Sequence, residues 1–405
     1  MKFVVFISER LIRHKKGTYS SNIINIAFLS IALSVAVMLI SLSILTGFKH
    51  AVKDKIVGFG SHIRIESFGA GADYSDIPVY ADKKLVDKLK CAENIKNVTP
   101  VLNEYAVVMT EGDFHAVLLK GITDTYDNLF FHQSLVQGRM PELNKESQQE
   151  ILVSKVVTDK LKLSVGDKIK VYFYVNNNYR SKNFYISGIY DTGLGDHDER
   201  FLICDASVLQ KIFSLSDNYY SCYEVTVDDF SKLNQTSEYL YQVLPFQMTV
   251  RTVTEAEPNL FSWLNLLDSN VIMIIIIMIL VTVVTLAGVV LIMIFEKKKM
   301  IGIMKSFGTP DRHIIGIFIA EAGWIMCKGL LFGNILALVL EAVQKYTDVI
   351  KLDAKGYYLT SVPVDINFVN IILMDVGILF ICTLFMVIPA KIISKMSVVK
   401  NLRFE

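Results

Sequence analysis

The sequence predicts a polytopic α-helical membrane protein with four transmembrane helices and a large α+β domain between the first and second helices. Of its 405 residues 52% are hydrophobic, and the mean hydropathy is +0.41, yet 20% are charged. The apolar residues are concentrated in four stretches long enough to cross a bilayer, which takes about 20 residues. This distribution is not that of an ordinary soluble enzyme, and a net charge of +1 gives no basic field for nucleic acid.

The first apolar stretch is a membrane span. No charged residue occurs between Lys16 and Lys49. A secretory signal has an apolar core of only about 7–15 residues, so this stretch is an uncleaved helix. The residues before it are basic (Lys2, Arg10, Arg13, Lys15 and Lys16), which places the N-terminus in the cytoplasm.

Residues from His50 to Leu267 have a different character, with charged residues, Asn, Gly and Tyr throughout. Alternating apolar and polar residues predict strands, and helical spacing appears between them. The strands are predicted at 62–66, 105–110, 116–119, 168–174 and 184–190, and the helices at 83–89 and 154–163. With about 215 residues, this region can form its own core as an α+β domain outside the membrane.

Three more spans follow, and lysine and arginine cluster at the N-terminus, in the loop 295–313 and in the tail. All three clusters fall on one side of a four-span topology, as the positive-inside rule requires, so both termini are predicted to be cytoplasmic. The predicted segments are an N-terminal segment 1–21, helix 22–48, domain 49–268, helix 269–295, loop 296–313, helix 314–341, outer loop 342–367, helix 368–390 and tail 391–405.

The loop between the second and third spans contains a short amphipathic helix by its spacing. Ile303 and Phe307 are four residues apart, as are Met300 and Met304, so each pair shares a helix face. Gly308 is expected to end the helix. A loop that only had to stay in water would not need these apolar residues, so the helix is expected to bind a partner.

Motifs of enzymatic chemistry are missing from the sequence. There is no G-x-x-x-x-G-K-[ST] phosphate-binding loop, no G-x-S-x-G and no H-E-x-x-H. We therefore expect no catalytic site, and no metal site either, because the acidic run Gly195–Glu199 reads as a solvated loop. Cys91, Cys204 and Cys222 follow no disulfide or zinc spacing, which leaves one pair or three unpaired thiols open.

Three charged residues lie inside predicted spans: Glu321 and Lys328 in the third, and Asp375 in the fourth. Each costs about 2.5–3.5 kcal/mol at the bilayer centre unless it is paired or faces the bundle interior. A proton relay would need a continuous chain of such groups. We therefore favour an ion pair that locks the third and fourth helices together, with Lys328 and Asp375 as partners.

Several stretches also resemble a known family. They are V-Q-G-R-M-P at 136–141, L-K-L-S-V-G-D at 161–167, I-S-G-I-Y-D-T-G at 186–193, I-G-I-M-K-S-F-G at 301–308 and I-P-A-K-I-I-S-K-M-S-V-V-K-N-L-R at 388–403. In this order, and with one helix before the domain and three after it, they resemble permease subunits of the MacB/FtsX class of ABC transporters. The similarity is greatest to LolC/LolE-type lipoprotein-releasing permeases of the cell inner membrane.

The resemblance implies a partner and a mechanism. A separate cytoplasmic ATPase dimer, which carries ATP and Mg²⁺, would bind the coupling residues Ile301, Gly302, Ile303, Met304, Lys305, Phe307 and Gly308. Closure of the ATPase dimer on ATP would move this helix. The movement would pass along the first and second spans into the outer domain on the other side of the membrane. The acyl chains of a lipoprotein would then contact Leu42, Leu45, Phe48, Leu260, Phe261, Trp263 and Leu264, although the same residues also suit simple anchoring at the membrane interface.

Further partners implied by the resemblance are a second copy or a sister permease, and a periplasmic lipoprotein chaperone. Three positions depart from the family pattern, one of them Ser397, which stands where a Pro is usual near the end of the tail. Met300 stands where an acidic residue is usual, and the segment Val175–Asn183 is a short hairpin turn where LolC-type chains have a longer, Pro-containing hook. Two alternatives remain: a related permease that drives peptide efflux or controls cell-wall hydrolases, and a membrane-anchored scaffold without an ATPase.

Overall fold

The computed structural model describes residues 19–68, 79–80, 82–110, 112–143, 149–175, 177–216, 218–391 and 393. Almost all of the predicted N-terminal segment and most of the tail lie outside this range. The chain divides into two compact units. We call residues 1–49, 263–350 and 361–405 the membrane unit, and residues 50–262 with 351–360 the inserted domain.

Four helices in the described part of the chain are long and apolar enough to span a membrane: Ile24–Gly60, Pro258–Glu296, Asp311–Thr347 and Phe368–Ala390. They belong to the helices α1 (Tyr19–Gly60), α9 (Pro258–Glu296), α11 (Asp311–Thr347) and α13 (Phe368–Ala390). Three of them extend beyond the predicted spans, because helical backbone continues into polar sequence that hydropathy alone does not count. α1, for example, runs 12 residues past Phe48 to Gly60.

The membrane unit has one apolar core, built from all four long helices. Its buried side chains include Ile31 and Val35 of α1, Val290 of α9, Phe318 of α11 and Met386 of α13. Between α9 and α11 lies the short helix α10 (Lys298–Ser306), as the sequence predicted.

The inserted domain is an α+β fold around a ten-stranded sheet. The strands are β1 (Ile63–Ser67), β3 (Ile95–Met109), β4 (Phe114–Ile122), β5 (Leu135–Gly138), β6 (Glu150–Ser154), β7 (Lys168–Val175), β8 (Asn178–Tyr190), β9 (Phe201–Asp205), β11 (Cys222–Val227) and β12 (Met248–Thr252). Their order is β12-β1-β11-β3-β4-β9-β6-β8-β5, and β7 pairs with both β3 and β8. Two short strands, β2 (Val79–Tyr80) and β10 (Tyr219–Tyr220), form a separate pair.

The helices of the inserted domain are short. They are α2 (Lys83–Lys90), α3 (Leu129–Gln133), α4 (Lys155–Leu161), α5 (Gly195–Arg200), α6 (Ala206–Phe213), α7 (Leu233–Val243), α8 (Val253–Ala256) and α12 (Ala354–Tyr357). All five predicted strands and both predicted helices are confirmed, with ends shifted by up to ten residues. The β7–β8 turn is tight, since Val175 pairs with Asn178, so the predicted hairpin is confirmed.

The cysteines of the inserted domain are free thiols, which resolves the alternative left open by their spacing. Cys204 and Cys222 are buried and Cys91 is exposed. Burial raises the pKa of the Cys222 thiol above its ordinary value. The buried pair therefore behaves as small apolar core residues.

Candidate functional site

The short helix α10 ends in a defined cap at Gly308. The amide of Gly308 donates to the carbonyl of Lys305 (3.0 Å), and the amide of Thr309 donates to the carbonyl of Met304 (3.1 Å). These two bonds form a Schellman motif, which needs a left-handed residue after the helix. Gly308 supplies it with φ = 78°. The predicted helix stop is confirmed, and the cap fixes the direction in which Phe307 leaves the helix.

The apolar residues of α10 are divided between two faces. Ile301 is fully buried, Gly302 is buried, and Met300 and Met304 pack against the core of the membrane unit. The bundle of this chain therefore covers Ile301 and Gly302, and their predicted role in coupling to an ATPase stays a prediction.

Ile303 and Phe307 lie on the other face. Their side chains are 48% and 84% exposed, respectively. Four residues apart on a helix, they form one apolar surface, which we call the coupling patch. Contiguous exposed apolar side chains of this kind are a feature of protein-interaction surfaces.

Lys305 points away from the coupling patch. Its ammonium lies 2.9 Å from Oδ1 of Asp311 and donates to the carbonyl of Ile393 (2.7 Å). The side chain thus ties α10 to the start of α11 and to the chain beyond α13. Its predicted contact with a partner stays a prediction, and the structure shows in addition that intrachain acceptors hold the ammonium.

Two glycines of α11 bring that helix against α1. A Cβ on Gly329 would lie 2.5 Å from Cγ2 of Ile31, and one on Gly333 would lie 2.7 Å from the carbonyl oxygen of Ala32. Two small residues four apart allow this approach of membrane helices. Sequence reasoning missed the contact, although the G-x-x-x-G spacing of Gly329 and Gly333 was a usable signal.

The predicted ion pair between Lys328 and Asp375 is not formed. Asp375 accepts a hydrogen bond from Nδ2 of Asn334 (2.6 Å), whereas Lys328 is exposed with its ammonium 5.5 Å from the ring centre of Trp324. Asn334 lies six residues beyond Lys328, which is about 9 Å along the helix and about 240° around it. The two side chains therefore point in different directions, and Asn334 is the one that meets α13.

Helix α11 also contains two buried carboxyl groups, those of Glu321 and Glu341. Glu321 is buried within the bundle, as the sequence predicted for an intramembrane charge. Glu341 is buried as well. Sequence reasoning assigned Glu341 to the edge of a span, because hydropathy does not reveal that the helix continues to Thr347.

The predicted acyl-chain contacts are divided between the membrane unit and the inserted domain. In the membrane unit the rings of Phe48 and Trp263 meet edge to face at 5.5 Å, and Leu264 is buried. Leu45 is half-buried. Leu42 lines a small cavity together with Asp365 and Asn370. Six residues before Phe48, it points to a different side of α1.

The remaining two of these residues, Leu260 and Phe261, fall in the inserted domain, where the ring of Phe261 stacks on that of Phe230 with centroids 6.3 Å apart. Phe261 is therefore held by an aromatic neighbour of its own domain, and the predicted acyl-chain contacts of Leu260 and Phe261 stay predictions.

The acidic run Gly195–Glu199 lies in a short helix, and the carboxylates of Asp198 and Glu199 have protein partners. Asp198 accepts bonds from the amides of Thr192 and Gly193 (both 3.1 Å) and from the Thr192 hydroxyl (2.7 Å). Glu199 pairs with Lys160. The interpretation of this run as a solvated loop was wrong for Asp198, which is almost fully buried.

A bundle of four membrane helices with an α+β domain after the first and an exposed apolar patch between the second and third defines a transmembrane permease subunit. Residues 26–243 match the MacB-like periplasmic core domain, and residues 272–398 match the FtsX-like permease C-terminal region. The chain belongs to this MacB/FtsX-like family, and within it the chain is a LolC/LolE-type permease.

The relatives cover nearly the whole chain. The lipoprotein-releasing system transmembrane protein LolC of Xylella fastidiosa is 22% identical over 99% of this chain and 98% of its own length. The corresponding LolE protein of Haemophilus influenzae is 22% identical over 96% of this chain and 97% of its own. The extracellular domain of the noncanonic ABC-type transporter YknZ from Gram-positive bacteria covers 47% of this chain and 99% of that domain, at 14% identity and a TM-score of 0.34.

Proposed function

We propose that this chain is the non-catalytic permease subunit of an ABC transporter that releases lipoproteins from the outer leaflet of the inner membrane. A separate cytoplasmic ATPase dimer would bind ATP and Mg²⁺ and drive the release, and a second copy or a sister permease would complete the membrane part. The observation that carries the proposal is the coupling patch, in which Phe307 is 84% exposed. The names of the relatives support lipoprotein as the substrate.

The two faces of α10 suit a helix that transmits force. On one face Ile301 is anchored in the core of the membrane unit, and Lys305 is bonded to Asp311 and to the carbonyl of Ile393. On the other face the coupling patch is open to a partner. Because close-packed interiors transmit displacement rather than absorb it, a push on Phe307 moves the bundle and not the loop alone.

The cost of moving acyl chains explains the need for ATP. Each CH₂ group withdrawn from the bilayer costs about 0.8 kcal/mol, so chains of many such groups do not leave spontaneously. For the same reason the released acyl chains need an apolar acceptor, and a periplasmic lipoprotein chaperone fits that role. Leu45 is half-buried, as are Leu42 and Trp263, so part of each side chain is accessible for contact with the chains.

The first experiment tests the coupling patch by copurification of the ATPase with the tagged permease. We expect the double variant Ile303→Asp/Phe307→Asp to lose the ATPase, because two charges replace the apolar contact. The matched variant Phe307→Leu keeps an apolar side chain and should retain it. Normal copurification of the double variant would show that the interface lies elsewhere, and no ATPase with the unchanged permease would favour the scaffold alternative.

The second experiment identifies the substrate. The complex is assembled with an ATPase that binds but does not hydrolyse ATP, and the bound material is analysed by mass spectrometry. Triacylated protein bound to the complex is the expected result. Soluble peptide alone would instead favour an efflux permease of the same family.

A further inference from the structure

One loop of the inserted domain contacts two stretches that lead along the chain into membrane helices: the C-terminal part of α1 and the residue before α9. The segment runs from Asp191 to Asp198, comprising the turn after β8 and the first residues of α5, and we call it the joint loop. It is held firmly within its own domain, because the carboxylate of the buried Asp198 accepts three hydrogen bonds from Thr192 and Gly193. The hydroxyl of Ser154 also donates to the carbonyl of Asp198.

The first contact is with the C-terminal part of α1. The Lys55 ammonium donates to the carbonyl of Thr192 in the joint loop and to the carbonyl of Tyr358 (3.0 Å). Tyr358 belongs to the segment between α11 and α13. A single lysine of the first membrane-leading helix therefore bonds two separate parts of the inserted domain.

The second contact is made one helical turn later. Phe59 lies four residues beyond Lys55, so both side chains occupy the same face of α1. The Phe59 ring is 5.3 Å from the ring of His197, centroid to centroid, and the His197 ring stacks in turn on Phe201 at 5.8 Å. The Phe59 carbonyl accepts a hydrogen bond from the buried Lys120.

The third contact concerns the start of α9. Nε2 of His197 lies 3.7 Å from Oε1 of Glu257, the residue immediately before α9. Beside these contacts is a cavity of about 40 Å³, lined among others by Ile56, Phe59, His197 and Glu257. The contacts of the joint loop with these stretches thus combine polar bonds with an apolar cluster in which Phe59 and Leu194 are both buried.

We propose that the joint loop is the point at which movement of α1 is passed to the sheet of the inserted domain, with Lys55 as the positioning residue. The proposal rests on the proposed transport function and deepens it by assigning the transmitting contact. Lys55 of α1 bonds to Thr192, and Asp198 of α5 bonds to Thr192 and Gly193. A shift of the C-terminal part of α1 therefore displaces Thr192, and through it α5.

The test measures lipoprotein released per ATP hydrolysed, with the assembled complex in vesicles. In Lys55→Met we expect this ratio to fall at least fivefold while copurification and basal ATP hydrolysis stay within twofold. Lys55→Arg keeps a cation that reaches the same carbonyls and should restore at least half of the ratio. An unchanged ratio in Lys55→Met would overturn the proposal.

A second pair of variants tests the contact between Lys55 and the joint loop without removing the lysine. A Cβ on Gly193 (φ = 72°) would lie 3.0 Å from the Lys55 ammonium, whereas one on Gly166 (φ = 93°) meets no atom within 4 Å. Both alanine variants therefore strain the backbone in the left-handed region, but only Gly193→Ala disturbs Lys55. Release per ATP should fall at least fivefold in Gly193→Ala and less than twofold in Gly166→Ala. Equal effects would overturn the proposal.

The proposed function can fail separately from this inference. If the unchanged complex hydrolyses ATP without releasing lipoprotein, the substrate assignment is wrong. Amide hydrogen exchange of residues 191–198 then still tests the joint. Trapping the ATPase with ATP should change their protection in the unchanged chain but not in Lys55→Met, and the same response in both would overturn the proposal.

Discussion

The ring of Phe48 in α1 meets the indole ring of Trp263 in α9 edge to face, with centroids 5.5 Å apart and planes at 75°. One residue later, the Lys49 ammonium lies 2.8 Å from Oδ2 of Asp268. Two consecutive residues of α1 thus contact Trp263 and Asp268, which lie on successive turns of α9. Because the pairs are adjacent, this clasp resists both sliding and rotation of one helix against the other.

The ring contact between Phe48 and Trp263 should appear as an energetic coupling between substitutions at the two positions. Phe48→Ala and Trp263→Ala should each lower the thermal midpoint of the full chain in detergent, and the double variant should lower it by less than the sum. An edge-to-face pair contributes about 0.5–1.5 kcal/mol beyond its buried area. Phe48→Ala combined with Trp324→Ala serves as the control and should be additive. Additivity of Phe48 with Trp263 would show that the ring contact does not stabilise the protein.

A buried ion pair inside the inserted domain should respond asymmetrically to substitution. The Lys120 ammonium lies 2.8 Å from both carboxylate oxygens of Glu224, and both residues are almost fully buried. Burial disfavours the ammonium, but the Glu224 carboxylate outweighs burial and raises the pKa of Lys120. Lys120→Met leaves an unpaired buried carboxylate, which costs about 3–5 kcal/mol. The double variant Lys120→Met/Glu224→Leu should recover most of this loss in thermal unfolding.

The exposed pair of Lys160 and Glu199 is the matched control for that measurement. Lys160→Met should change the stability by at most about 1 kcal/mol, because solvent screens an exposed pair. If Lys120→Met proved as mild as Lys160→Met, the buried pair would not be ionised as a pair.

Close packing of α1 against α11 predicts that Gly333 tolerates no large side chain. Gly333→Leu would place its Cβ 2.7 Å from the carbonyl oxygen of Ala32, so the helices must separate. Gly323→Leu on the same helix is the control, since a Cβ there meets no atom within 4 Å. We expect the yield of folded permease in detergent, measured by size-exclusion chromatography, to fall severalfold for Gly333→Leu only. Equal yields would contradict the contact.

The stability of the inserted domain should depend on pH through His197. Burial lowers the pKa of His197 to about 4, whereas the unfolded side chain titrates near 6.5. The unfolded state therefore binds this proton first, so the stabilisation is present above about pH 6.5 and is lost as the pH falls toward 4. Between pH 7 and 5, His197→Gln should lose less of its thermal midpoint than the unchanged chain.

Comparison with a matched variant isolates this effect. Burial raises the pKa of Asp198 to about 6, which acts in the opposite direction, but both chains share that contribution. The exposed His132 supplies the control, and His132→Gln should follow the unchanged chain. An identical pH response of His197→Gln and the unchanged chain would contradict the partly buried, neutral state of His197.

The sequence predicted features that depend on neighbouring residues. Gly308 was expected to end the short helix, and the structure gives it the left-handed conformation that only glycine adopts easily. The strands of the inserted domain were recognised by alternation, which any half-buried strand shows. The tight turn after Val175 followed from the short, Asn-rich loop.

Contacts between distant residues were less predictable. Lys328 and Asp375 were paired because they were the available opposite charges, yet Asn334 is the residue on the correct side of α11. The acidic run at 195–199 was interpreted as solvated, since nothing local shows that Thr192 and Gly193 fold back onto Asp198.

The sequence by itself determined the four spans, the inserted domain and the short apolar helix, because apolar length, alternation and helix breakers are properties of adjacent residues. Only the tertiary structure decided which side of each helix is covered. It buried Ile301, left Phe307 exposed, and turned Lys55 toward Thr192. The physical reason is that burial depends on which surface a neighbouring element presents, and that surface comes from residues far away in the chain.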